Sequence, residues 1–212
     1  MAKRSKVIFD VGANLGLYSL LAAEANPKAH IHAFEPMPEI LARLQAHLEL
    51  NGIDNVKVNA LGVGSHDGKA VLRDCRGSNG VNDGMNFIID SQIPTQESDR
   101  LVPLIPLDDY CQQHGLDRID LIKMDIEGGE YEALIGAQRL LQTQRIGCLF
   151  IELAEWAASR SGHSTGEIKT LLAENGYQLH RPTSRGLVPI NSGPVRDGDN
   201  VVALAPDFRL AD

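Results

Sequence analysis

Short apolar runs that break at a glycine or acidic turn and hand over to a leucine-rich stretch recur along this chain, and that alternation constrains the fold more than any other feature. Val7-Ile8-Phe9 stops at Asp10-Val11-Gly12, and Leu15, Leu17, Leu20, Leu21 and Ala22 follow with helical spacing. A second strand is predicted over 31–34, ending at Glu35-Pro36. Pro38 then opens a helix whose Ile40, Leu41, Leu44, His47 and Leu48 share a face until Asn51-Gly52 stops it. Further strands are predicted over 56–60, 119–124 and 148–153, the last two followed by helices over 130–141 and 165–175. Strand alternating with helix implies an α/β chain with a parallel sheet covered on both faces.

Two stretches leave that rhythm. Residues 73–105 are rich in Gly, Asn, Ser and Asp and far longer than an ordinary strand-to-helix connection. They read as an insertion on the substrate side, following a hairpin over 62–73 with His66-Asp67-Gly68 at its turn and carrying a short strand over 86–89. At the other end, 177–180 and 200–204 read as a closing antiparallel pair, joined by the Gly/Pro-rich 182–199. The 212 residues, 43% hydrophobic and 23% charged, suit one soluble domain spanning 1–212.

Twenty Lys and Arg against 28 Asp and Glu give a net charge of −8, the wrong sign for holding polyphosphate strands, so nucleic acid is a disfavoured partner. Cys75, Cys111 and Cys148 are odd in number and form no CxxC pair, which fits a reducing cytoplasm. The basic start, 1–6, is followed by an apolar run that breaks at Asp10, too short for a signal sequence or a membrane span.

Open parallel sheets bind ligands beyond the carboxyl ends of their strands, where the strand order reverses. After the first strand stands Asp10-Val11-Gly12-Ala13-Asn14-Leu15-Gly16, whose glycines let backbone approach a ligand at a helix N-terminus. After the second stands Glu35, where an acid can accept hydrogen bonds from both hydroxyls of a ribose. A dinucleotide site wants a further glycine where this chain has Asn14. Asp10 would repel a pyrophosphate and attract the ammonium and sulfonium of S-adenosylmethionine.

VIFDVGANLGLYSLLAA, AFEPMPEILARLQAHLELNG, VNALGVG and above all IDLIKMDIEGGEYEALIGA resemble the FkbM family of S-adenosylmethionine-dependent methyltransferases, over about residues 7–153. The resemblance implies a class I methyltransferase fold, a Rossmann-like three-layer sandwich with a mostly parallel seven-stranded sheet and an antiparallel last strand. It also implies O-methylation of a hydroxyl on a sugar or secondary metabolite. By the family's pattern Asp10, Gly12, Asn14 and Gly16 surround the methionine part of the cofactor, Glu35 the ribose, and Asn59, Ala60 and Leu61 the adenine. The chain departs from the pattern in beginning almost at its first strand, without the N-terminal helices that often cover the pocket.

Methyl transfer from a sulfonium is an in-line displacement, so the protein must hold an oxygen near the methyl carbon and help remove its proton. Asp125 and Glu127, two apart where the 119–124 strand ends, are placed to point carboxylates into one cleft, with Asp125 the first choice for base or substrate anchor. For Glu127 and Glu130 the alternative is an acidic first helical turn. His163, between the fifth strand and its helix, is a second candidate base, although Ser164 or Thr165 beside it is an ordinary helix cap. Trp156 is placed to wall an acceptor pocket or simply to pack. A Mg²⁺-assisted variant through Asp125, Glu127 and Glu152 is open, although no third ligand is fixed by spacing, and no metal is expected. Asp-Ile-Glu-Gly is not the Asn-Pro-Pro-aromatic sequence of base methylation, which favours a small-molecule hydroxyl acceptor. The competing readings are a nicotinamide-dependent oxidoreductase, disfavoured by Asn14 and by the lack of a Tyr-x-x-x-Lys pair, and a non-catalytic nucleotide-binding module.

Overall fold

The computed structural model describes residues 1–73, 86–89, 95–190 and 199–208. In the first strand, β1 (Val7–Val11), Ile8 and Asp10 face one side of the sheet and Phe9 and Val11 the other, as a pleated strand buried on both faces requires. On the first side lie α1 (Leu17–Ala25) and α2 (Pro38–Leu50), whose Ala22, Ala23, Leu44 and Leu48 cover Ile8 and, on β2 (His30–Phe34), Ile31 and Ala33. On the second side, Leu107 and Tyr110 of α3 (Leu107–His114), Leu134 of α4 (Glu130–Ile135), Leu141 of α5 (Gln138–Gln142) and Leu172 of α7 (Thr165–Glu174) bury Phe9 and Val11. They also cover Ile122 and Met124 of β8 (Ile119–Met124) and Ile151 of β9 (Ile146–Leu153). Each fully buried leucine contributes on the order of 2–5 kcal/mol, judged by what truncation to alanine costs in well-packed cores.

The remaining elements are β3 (Val56–Asn59), β4 (Gly62–Val63), β5 (Gly68–Arg73), β6 (Phe87–Ile88), β7 (Arg100–Ile105), α6 (Glu155–Ala158), β10 (Gln178–Thr183), β11 (Gly186–Pro189) and β12 (Asp199–Leu204). The main sheet runs β11-β10-β12-β9-β8-β1-β2-β3. β3, β2, β1, β8 and β9 are parallel, and β12 enters antiparallel between β9 and β10, so the predicted closing pair forms. The strand order reverses between β1 and β8, which puts the ligand crevice at their carboxyl ends.

Four sequence expectations are corrected. Among the described residues the main sheet has eight strands, because the Gly/Pro-rich stretch read as a connection turns back at Gly186 (φ +116°) and adds β11 to β10. The predicted 62–73 hairpin does not pair with itself. β4 pairs parallel, and β5 antiparallel, with β7, and β6 completes this second, four-stranded sheet. β7 itself lies within the stretch read as an insertion, and its Val102 and Leu104 face the protein interior. Finally, the 130–141 helix is broken into α4 and α5, because Gly136 lies against the backbone of Gly64, where any Cβ would overlap the Gly64 carbonyl, and its own carbonyl accepts the Asp108 N–H. α7 starts as its sequence foretells, with a reciprocal Ser164–Glu167 capping box. No helix among the described residues is long and apolar enough to cross a membrane.

Candidate active site

The turn after β1 is bent by three residues at positive φ: Gly12 (+75°), Asn14 (+49°) and Gly16 (+90°). At Gly12 an added Cβ would overlap the Asp125 carbonyl oxygen, and at Gly16 it would run into the Leu44 side chain, so both positions need glycine for space as well as for backbone angle. Asparagine is among the few other residues that tolerate this conformation. At position 14 it turns its N–H toward Glu35, whose Oε2 accepts it at 3.0 Å while Oε1 accepts the Met37 N–H at 2.9 Å. Glu35 is only 6% exposed. Burial pushes its carboxyl above the ordinary range, against the pull of those two hydrogen bonds.

Opposite this turn, the Asp125 N–H bonds to the Val11 carbonyl at 3.2 Å, so the loop after β8 starts in register with β1. Glu127 (φ +57°) and Gly128 (φ +108°) then reverse the chain. Glu130, 5% exposed, holds that loop by accepting the N–H groups of Ile126 and Gly128, both at 2.9 Å. Here the acidic first turn of α4 is a loop clamp. Asp125 is the accessible carboxylate, its side chain 37% exposed. Glu152, near the end of β9, is hydrogen-bonded to Asp125, and burial, that contact and the nearby charges of Glu127 and Glu130 push its carboxyl up to about 7.

Between the two edges lies a cavity of about 410 Å³, within the size range of small-molecule sites. The glycine turn, Glu35, Asp125 and Glu127 line one part of it, and Ile40, Leu72, Ile88, Val102 and Leu104 line another. Of the residues singled out from the sequence, Gly12, Asn14, Glu35, Leu61, Asp125 and Glu127 thus meet in one wall. Gly16 braces the turn from behind. Asn59 is turned inward, donating to the Ala33 carbonyl at 3.1 Å and accepting from the Tyr110 hydroxyl at 2.9 Å. Ala60 is exposed and outside the cavity wall. His163 is also outside it, bonded to Glu132 Oε1 at 3.0 Å and stacked on Tyr131 with ring centroids 4.0 Å apart. Trp156 lies over the Arg160 guanidinium, which also stacks on Phe87.

Asp10 sits below the turn, 2% exposed, accepting the Ser19 hydroxyl at 2.7 Å. Its other oxygen, Oδ1, has no hydrogen-bond partner among the described residues. Burial raises its carboxyl, and Lys123 and Ser19 pull it back down. Lys123 is the residue the sequence reading missed. Its only sequence signal is a charge inside an otherwise apolar central strand, IDLIKM. No three His, Cys, Asp or Glu side chains among the described residues are grouped to hold a metal ion.

The sequence profile of the methyltransferase FkbM domain matches residues 10–179, which takes in the turn, Glu35, Asp125 and Glu152. The chain belongs to the FkbM methyltransferase family. It is 31% identical over 206 residues to the AMB antimetabolite synthetase AmbE of Pseudomonas aeruginosa, a match covering 82% of this chain and 10% of that one. To the 2-O-methyltransferase NoeI of Sinorhizobium fredii it is 28% identical, covering 68% of this chain and 63% of NoeI. To the 31-O-demethyl-FK506 methyltransferase FkbM of Streptomyces tacrolimicus it is 28% identical, covering 82% and 73%. The chain therefore spans a small part of AmbE and somewhat under two thirds of NoeI.

Among solved structures, the Methanococcus jannaschii fibrillarin pre-rRNA processing protein superposes with a TM-score of 0.52 at 14% identity, covering 96% of this chain and 68% of that one. The Streptococcus mutans protein SMU.1697c does so with a TM-score of 0.50 at 11% identity, covering 94% and 88%. These likenesses agree with the class I methyltransferase fold.

The cofactor of this FkbM chain is S-adenosylmethionine, and the residues present fit it. Gly12 lets the turn lie directly against the Asp125 backbone, which brings the two sides of the site together. Each Glu35 oxygen keeps a lone pair beyond its backbone bond. The buried Asp10 carboxyl beneath the turn, whose Oδ1 accepts no hydrogen bond among the described residues and faces Lys123 Nζ at 3.7 Å, keeps the floor of the turn polar, suited to a charged ligand.

Proposed function

We propose that this chain is an O-methyltransferase acting on a hydroxyl group of a small molecule such as a sugar or secondary metabolite. The observation that carries the reading is the meeting of Asp125 with the glycine turn and Glu35 in one cavity wall. The O-methyl specificities named for NoeI and FkbM support it. Bound S-adenosylmethionine supplies a methyl group made electrophilic by a sulfonium. Gly12, Asn14 and Glu35 would hold its methionine and ribose portions, and Leu61 would border its adenine. Asp125 would orient the acceptor and take its hydroxyl proton as the methyl group passes from sulfur, which keeps the C–S electron pair, to the acceptor oxygen. The proton rests on the Asp125–Glu152 pair, and the products are a methyl ether and S-adenosylhomocysteine.

His163 has no place in this scheme, because its ring is committed to Glu132 and Tyr131. Residues 1–212 form one methyltransferase domain working in the reducing cytoplasm, in keeping with the buried thiols of Cys111 and Cys148. Within 73–105, Ile88, Val102 and Leu104 contribute an apolar wall on the acceptor side. The test is transfer of labelled methyl from S-adenosylmethionine to a panel of sugars, polyols and phenols, with amines and nucleosides as controls. Label confined to hydroxyl acceptors supports the reading, and label only on amines or nucleosides contradicts it.

A further inference from the structure

Lys123 stands at the centre of a polar ladder that crosses the sheet beneath the cavity. Ser19 bonds to Asp10, and Asp10 Oδ1 lies 3.7 Å from Lys123 Nζ. That ammonium lies 3.6 Å from Asp125 Oδ2, and Asp125 bonds to Glu152. The ammonium donates to the Gly12 carbonyl at 2.9 Å and sits 4.9 Å from the centroid of the Tyr18 ring. It is 8% exposed and, among the described residues, is the one cationic side chain lining the cavity, against the carboxylates of Glu35, Asp125 and Glu127. An ammonium is costly to bury, and one held by a single carbonyl and two carboxylates beyond hydrogen-bond distance is not optimised as a structural ion pair. It is placed where its charge acts on whatever occupies the turn.

We propose that Lys123 is a positioning residue that acts as the internal counter-cation of the site, tempering the potential met by the sulfonium and making the pocket favour the neutral product. The inference rests on the placement of the cofactor at the glycine turn. Among the described residues the ammonium is met by the Gly12 carbonyl, the Asp10 carboxylate from β1, the Asp125 carboxylate from the β8 loop and the Tyr18 ring from α1, and its charge also acts on Glu35 after β2. Without the ammonium the two carboxylates stand uncompensated. A sulfonium then gains attraction, while the uncharged sulfide of S-adenosylhomocysteine gains none. With it, loss of the positive charge during methyl transfer relieves a repulsion, so the same side chain that fixes the Gly12 carbonyl also biases the site toward the state after transfer.

The experiment needs no acceptor. Dissociation constants of S-adenosylmethionine and S-adenosylhomocysteine are measured by calorimetry, at pH 7 and at pH 9, for the wild type, Lys123→Met, Lys123→Gln and Lys123→Arg. Repeating at pH 9 checks that proton uptake by the buried Asp10 carboxyl does not mask the loss of the ammonium. In the neutral variants the ratio of the sulfide's dissociation constant to that of the sulfonium rises roughly tenfold over wild type, the scale expected for one nearby charge in a partly buried site. In Lys123→Arg it stays within about twofold. Gln retains a donor for the Gly12 carbonyl, so it supplies the result if Met fails to fold. A purely structural lysine weakens both ligands together, and a ratio unchanged in a folded neutral variant overturns the proposal alone. Failure of the wild type to bind either ligand overturns both the proposal and the placement of the cofactor.

Discussion

The two edges of the cavity are built in opposite ways. The cofactor edge is local and backbone-made: one turn at three positive-φ positions, with a single buried acid pinned by two N–H groups. The chemical edge is assembled at a distance from side chains of three parallel strands, with Asp10 and Lys123 behind it and Asp125 and Glu152 in front. Rigid backbone suits a ligand whose shape is always the same, whereas a shared network of charges suits a step in which a proton must move.

If that division is right, substitutions at the two edges separate binding from chemistry. The largest effect falls on Asp125→Asn, which keeps the shape and removes the base. Methyl transfer drops by about 10²–10⁴-fold while S-adenosylhomocysteine affinity, read by calorimetry, stays within about threefold. A parallel loss of affinity would break the division. Gly12→Ala strikes the cofactor edge and the Asp125 backbone together, because its Cβ overlaps the Asp125 carbonyl at a backbone angle that costs an L-residue on the order of 1–2 kcal/mol. Cofactor affinity falls by at least about tenfold, and unchanged affinity would show that the turn does not seat the ligand.

A subtler effect belongs to Glu152, whose carboxyl is raised to about 7 beside Asp125, Glu127 and Glu130. Below that pH Glu152 is protonated and above it Glu152 is ionised, which gives the site a second carboxylate, so methyl transfer rises as pH passes upward through about 7. Glu152→Gln removes the group that titrates there, so the rise near 7 is lost, and a pH profile that stays in place would separate Glu152 from the chemistry. The smallest effect is His163→Ala, with transfer within about twofold of wild type, since its ring faces Glu132 and Tyr131. A hundredfold loss there would restore His163 as the base.

The same division decides what was legible in the sequence. Gly12, Asn14, Gly16 and Glu35 could be read because a short turn and a spacing fix their geometry, and the βα alternation could be read because each unit buries its own stripe. Lys123 could not, and Glu152 was legible only as a third acid beside Asp125 and Glu127, since the partners of both lie on neighbouring strands and pairing across strands is not written in local spacing. β7 was hidden for a related reason. Its RLVPLI carries Pro103 and follows a long polar stretch, and only its position between β4 and β5 makes it a strand. The family resemblance puts Asn59 in the turn at the adenine, and its side chain is turned inward to the Tyr110 hydroxyl, 51 residues away in sequence, a contact that no local spacing announces.

The central claim is that the turn after β1 and Glu35 together seat S-adenosylmethionine, and calorimetry tests it most directly. S-adenosylmethionine, S-adenosylhomocysteine and NADH are titrated into the wild-type protein and into Glu35→Gln, which keeps the side chain's shape and an oxygen for one of its two backbone donors. The account predicts binding of both sulfur ligands, none of NADH, and at least a roughly tenfold loss in the variant, the scale of a charge-assisted hydrogen bond to a ribose hydroxyl. Binding of NADH alone, or sulfur-ligand affinity unchanged in a folded Glu35→Gln protein, would contradict it.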